Sequence, residues 1–178
     1  MFTGLVSDVG TVTSVEDTDG LRRLTVESRY PVSALEMGAS VMHSGACLTI
    51  VEFGPREGGS WWVVEAVPET LQRTVLGEWQ TGARTNLELS LKMGDELGGH
   101  LVSGHVDAVG KVISVVEDGD SWRIQVSLPT RLAGMAAEKG SIAIDGTSLT
   151  VSAVSAAGEP DAWFEVAVIP HTLEVTTL

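Results

Sequence analysis

The stretch SGACLTI, residues 44 to 50, returns almost intact as DGTSLTV, residues 145 to 151. Ser44-Gly45 and Asp145-Gly146 are two-residue turn signals, and Asp-Gly is a favoured type I′ pair, so a strand should lead into and out of each. Side chains alternate along a strand. After the first turn Ala46, Leu48 and Ile50 therefore face one way, and Cys47 and Thr49 the other. After the second turn Thr147, Leu149 and Val151 oppose Ser148 and Thr150. The mainly apolar set should fill an interior and leave the small polar pair facing outward.

The two hairpins belong to a longer duplication. GLVSDVGTVTSV (4 to 15) and GHVDAVGKVISV (104 to 115) agree at seven of twelve positions. Ser40, Gly45, Leu48 and Thr49 match Ser141, Gly146, Leu149 and Thr150. PETLQRTVL (68 to 76) is echoed by PHTLEVTTL (170 to 178). Three collinear matches at nearly constant offset identify a tandem repeat, which sets the architecture.

Within each copy short β-branched runs alternate with Gly, Asp, Ser and Pro, the pattern of a barrel or sandwich. Only YPVSALEMG (30 to 38) and PTRLAGMAAEKG (129 to 140) look helical. The expected fold is all-β: two tandem six-stranded Greek-key β-barrels, each with one short helix, over residues 1–97 and 98–178. In the first copy RTNLEL (84 to 89) makes a plausible closing strand, whereas the second copy stops at Leu178. The preferred expectation is that a final strand lies beyond Leu178; the alternative is an open barrel with a bare edge.

Composition narrows the function. A net charge of −13 disfavours nucleic acid and anionic membranes as partners. No run reaches the roughly 20 apolar residues that span a bilayer, and MFTGLVSDVG has no basic leader, so the expected compartment is the cytoplasm. One cysteine, Cys47, permits no internal disulfide, and His43, His100, His105 and His171 show no metal-ligand spacing. No metal is expected.

The two matched polar faces suggest two versions of one site, although small hydroxyl residues also simply suit strands. Cys47 reads either as a small buried hydrophobe or as a reactive thiol. His105 stands where the first copy has Leu5, and His43 where the second has Ile144. Either histidine can be structural, but SGHVD puts His105 in a Gly-flanked turn suited to a general acid or base. Lys139, before Gly140, is expected to be exposed.

MFTG at the start, GASVMHSGACLT, GDELGGHLVSGHVD, KGSIAIDGTSLTV and IPHTLEVTTL lie in order across the chain, which thereby resembles the riboflavin synthase family of the α-chain type. The resemblance implies two lumazine-binding barrels and a C-terminal helix, absent from these 178 residues, through which a full-length chain forms a homotrimer. It implies a transferase that dismutates two molecules of 6,7-dimethyl-8-ribityllumazine by four-carbon transfer, giving riboflavin and 5-amino-6-ribitylamino-2,4-pyrimidinedione, the final step of riboflavin biosynthesis. No cofactor is implied, because the second substrate molecule is the redox partner.

Carried over by position, the first pocket takes Gly4, Leu5, Val6, Cys47, Leu48, Thr49, Glu65, Ala66, Val67, Pro68, Glu69 and Thr70. The second takes Gly104, His105, Val106, Lys139, Ser148, Leu149, Thr150, Ile169, Pro170, His171, Thr172, Leu173 and Glu174. Phe2, Ser40, Cys47 and His105 are the implied catalytic positions. The runner-up is a lumazine- or flavin-binding protein of the same fold that holds its ligand without turnover; a third possibility is a ligand-free structural β-protein.

Overall fold

The computed structural model describes residues 1–18 and 20–178. The first copy supplies β1 (Asp8–Thr18), β2 (Leu21–Ser28), β3 (Ser40–His43), β4 (Ala46–Arg56), β5 (Gly59–Ala66), helix α1 (Pro68–Arg73) and β6 (Arg84–Leu89). These strands close into an antiparallel barrel in the order β1-β2-β5-β4-β3-β6. The second copy supplies β7 (Val112–Asp118), β8 (Ser121–Ser127), β9 (Ser141–Ile144), β10 (Thr147–Val154), β11 (Trp163–Val168) and helix α2 (Pro170–Val175). Its strands run β7-β8-β11-β10-β9, the same order without the sixth member.

Both quoted hairpins form as expected. Ser44 and Gly45 have φ of 43° and 91°, and Asp145 and Gly146 have 45° and 78°, the left-handed pair of a type I′ turn. The ladders slip at Val12/Ser14 and Ile50/Glu52, and again at Val112/Ser114 and Val151/Ala153. Such bulges bend a strand and increase its twist, which is what curling a sheet into a barrel requires. The duplication thus preserves the devices of curvature as well as the sequence.

Val12, Leu24, Val26, Leu48, Ile50, Trp62, Val64 and Leu87 fill the first barrel. His43 lies fully buried beside Trp62, whose indole N–H donates to His43 Nε2 at 2.9 Å. In the second sheet Val151, Phe164, Val166 and Val168 form a smaller core, while Val112 and Val115 on β7 are 63% and 57% exposed. The gap between the edge strands β7 and β9 opens a cavity of about 680 Å³ onto this core. That cavity is the inside of an open barrel.

The helices depart from expectation. Residues 30–38 and 129–140 form only 3-10 turns at Val32–Ala34 and Thr130–Met135, each without a side-chain cap. The α-helices are instead α1 and α2, in segments with no helical signal of their own. Each is six residues long and starts on a proline, Pro68 or Pro170, whose fixed φ suits the first turn. A segment this short shows no helical period. Among the described residues no helix is long and apolar enough to cross a membrane.

Candidate functional site

The two copies meet through their leading segments. Phe2 and Val102 form an antiparallel bridge, with Phe2 N–H donating to Val102 O at 2.8 Å and Val102 N–H to Phe2 O at 3.0 Å. From this crossing each segment passes onto the other copy's hairpin. Ser148 N–H donates to Gly4 O at 2.7 Å, and Cys47 N–H donates to Gly104 O at 2.8 Å. Gly4 and Gly104 have φ of 76° and 78°. A Cβ on Gly4 would lie 2.7 Å from the Cβ of Ser148, and one on Gly104 2.5 Å from that of Cys47. Only glycine permits both the backbone conformation and the contact.

This geometry revises the expected grouping of pocket residues. Gly4, Leu5 and Val6 are expected beside Cys47, and Gly104, His105 and Val106 beside Ser148. The Phe2–Val102 crossing exchanges the two segments, so Gly104 and His105 join Cys47 while Gly4 joins Ser148.

At the Cys47 side a concave site of about 420 Å³ is lined by Cys47, Thr70, Arg73, His105, Asp107 and Arg131, among others. Cys47 is half-buried and His105 is exposed. Thr49 is exposed one pleat along the same face, whereas Leu48 is buried in the barrel, so only its backbone is available to a ligand. Thr70 sits on α1, which the proline-started turn places beside the hairpin. Arg131 donates to Asp107 O at 2.7 Å, and Arg73 pairs with Glu69 at 2.9 Å. The site therefore combines a thiol, an imidazole, a hydroxyl and paired charges on one rim.

At the Ser148 side the hydroxyl of Ser148 lies 2.7 Å from His100 Nδ1. Thr150 is exposed further along β10, and Leu149 faces the inside of the second sheet. Ile169, Pro170, His171 and Glu174 are exposed, and Leu173 packs on the sheet core. Lys139 is exposed at φ 66°, its N–H bonded to Val151 O at 2.8 Å.

Other expected residues hold different posts. Phe2 is fully buried against Met42, Val102 and Cys47, where it supports the Cys47–Gly104 contact from beneath. Ser40 faces Thr49 across the β3–β4 ladder, and its carbonyl accepts from Ser90 Oγ at 2.6 Å. Glu65 is held by Arg23 at 2.8 Å, so its carboxylate is already engaged. Ala66 is buried, while Val67, Pro68 and Glu69 are exposed at the entrance to α1. His100, Arg73 and Arg131 are absent from the expected set. His100 lies ahead of the aligned stretch that begins at Gly104, and the arginines come from segments whose approach depends on the tertiary fold.

Comparison with known proteins adds kinship to this geometry. The family described as Lumazine binding domain matches residues 3–90 and again 103–178. The chain is 45% identical to the riboflavin synthase of Brucella abortus (strain 2308), over 99% of this chain and 86% of that one. It is 40% identical to the riboflavin synthase of Mycobacterium bovis (strain ATCC BAA-935 / AF2122/97), over 100% and 86% respectively. In fold it is similar to LumP solved with 6,7-dimethyl-8-(1'-D-ribityl) lumazine, with a TM-score of 0.81 and 20% identity over 100% of this chain and 92% of that one. It is also similar to LumP solved with riboflavin, at a TM-score of 0.80 and 23% identity over 99% and 90%.

Proposed function

Because the chain belongs to the riboflavin synthase family and carries its lumazine-binding domain twice, we propose that it converts two molecules of 6,7-dimethyl-8-ribityllumazine into riboflavin and 5-amino-6-ribitylamino-2,4-pyrimidinedione. The observation that carries the reading is the reciprocal crossing, which sets a segment of each copy on the other copy's hairpin and furnishes the two hairpins differently: Cys47 with His105 at one, Ser148 with His100 at the other.

A dismutation needs this combination. One lumazine gives up a four-carbon unit and is left as the pyrimidinedione, the other receives it and becomes the flavin, and the electrons lost by one are gained by the other. Two copies of one molecule require two similar pockets, and their opposite fates require different chemistry in each. Extended backbone at the hairpins offers N–H and C=O groups to the ring amides, and the exposed Thr49 and Thr150 offer hydroxyls to ring or polyol. Holding both rings turns a bimolecular encounter into an oriented one. His105 assists removal of a methyl proton, and Cys47, Ser40 or a water that they orient adds to the ring of the other lumazine and leaves again as the products form. Ser40 stands on β3, across the ladder from Thr49.

The two units are residues 1–97 and 98–178. The whole protein is a cytoplasmic homotrimer in which the first pocket of one subunit faces the second pocket of another. Incubation of the purified protein with the lumazine, followed by absorbance, tests the activity. Appearance of riboflavin supports it; a stable fluorescent complex without riboflavin favours the binding protein instead.

A further inference from the structure

His100 pairs with Ser148 from four residues ahead of Gly104, where the aligned stretch of the second copy begins. The pair is tightly built. His100 Nδ1 and Ser148 Oγ are 2.7 Å apart, the length of a strong hydroxyl hydrogen bond. The two backbones are tied to adjacent residues: His100 N–H donates to Thr3 O at 3.0 Å, and Ser148 N–H to Gly4 O at 2.7 Å.

That loop is itself anchored. The buried carboxylate of Glu88 accepts the Thr3 N–H at 2.6 Å, the Thr3 hydroxyl at 2.7 Å and the Gly4 N–H at 2.9 Å. Before His100 the chain runs so close that a Cβ on Gly99 would lie 2.1 Å from Thr3 O and 3.1 Å from Ser148 Oγ. The imidazole is therefore fixed at its backbone and at its ring, and the Ser148 hydroxyl is the atom it addresses.

We propose that His100 is a positioning residue for the family's reaction: it fixes the rotor of the Ser148 hydroxyl, so that the second pocket presents one oriented hydroxyl to its lumazine. The assignment rests on the reading that these pockets take lumazine. Each hairpin then has its own histidine, drawn from a different place. His105 follows Gly104 on the crossing segment and joins Cys47, whereas His100 stands ahead of the repeat and joins Ser148. The pockets differ through these partners as well as through the exchange of sulfur for oxygen.

The test is a double-mutant cycle on the full chain, with His100→Ala, His100→Asn, Ser148→Ala and the combined His100→Ala/Ser148→Ala. Turnover of the lumazine gives kcat and KM, and fluorescence titration gives binding. An asparagine places an amide where Nδ1 lies, so it can hold the hydroxyl without supplying a titrating base. His100→Ala should lower kcat roughly 10-fold, the worth of one net hydrogen bond, and His100→Asn should recover most of it. In the Ser148→Ala background, His100→Ala should add nothing. Independent, multiplying effects would overturn the proposal, as would a His100→Asn variant that is folded but as slow as His100→Ala. A wild-type chain that neither binds nor turns over lumazine overturns the parent reading and this one together; failure of the cycle in a competent wild type overturns this one alone.

Discussion

Acid should unfold this protein partly through His43. Both ring nitrogens are engaged in the first barrel: Nε2 accepts from the indole N–H of Trp62 at 2.9 Å, so Nδ1 carries the proton and donates to Val41 O at 3.1 Å. A second proton would have to enter an apolar interior and displace the indole. Burial accordingly pulls the pKa down to about 4 from the ordinary 6.5. Between these values the unfolded chain binds a proton that the folded chain refuses. The stability due to the neutral, buried ring is thus complete above pH 6.5 and is lost as pH falls toward 4. The gap of about 2.5 pH units, at about 1.4 kcal/mol each, caps the loss at about 3.5 kcal/mol, of which about 2 kcal/mol is gone by pH 5. Carboxylates titrate nearby, so the useful quantity is a difference between urea unfolding curves of the wild type and His43→Gln, whose Oε1 can accept from Trp62 without titrating. The wild-type advantage should shrink by about 2 kcal/mol between pH 7 and pH 5. An advantage that stays flat with pH would refute the assignment of a neutral, buried imidazole.

Five other substitutions test the hairpins and the site. Gly82→Ala, at φ 95° with open space around it, should cost only the left-handed penalty, about 1 kcal/mol in urea. Gly104→Ala, at φ 78° and against Cys47, should cost roughly 3 kcal/mol because a clash adds to that penalty, and should also abolish turnover. Asn86 is fully buried, donates to Asp145 O at 2.9 Å and accepts from Thr177 N–H at 2.8 Å. Asn86→Ala should therefore cost about 2–4 kcal/mol and speed hydrogen exchange at Thr177. Cys47→Ser and His105→Ala should each lower kcat more than they raise KM; an unchanged kcat in both would remove them from the mechanism.

The barrels were legible because duplication and alternation are local signals. The turns at Ser44-Gly45 and Asp145-Gly146, and the alternation that buries Leu48 while exposing Thr49, follow from two-residue periodicity and turn chemistry. That the second sheet has five strands where the first barrel has six was legible by the same comparison of copies. The crossing at Phe2 and Val102 was not, because one long-range backbone bridge leaves no pattern in either segment. Its signal was the pair Gly4 and Gly104, whose shared left-handed φ marks two close approaches without saying to what. His100 escaped for a related reason: it lies ahead of Gly104, where the aligned stretch of the second copy begins, so the comparison of copies does not reach it. The helices α1 and α2 escaped because six residues are too few to show a period.

The most direct measurement is the mass balance of the reaction. Purified protein is given 6,7-dimethyl-8-ribityllumazine with no added cofactor, and substrate and both products are quantified by chromatography. Two lumazines consumed for each riboflavin and each pyrimidinedione formed is the expected result, since one substrate molecule gives its four-carbon unit to the other. Riboflavin formed in a one-to-one ratio with lumazine consumed, or lumazine bound and left unconverted, would contradict the two-pocket dismutation.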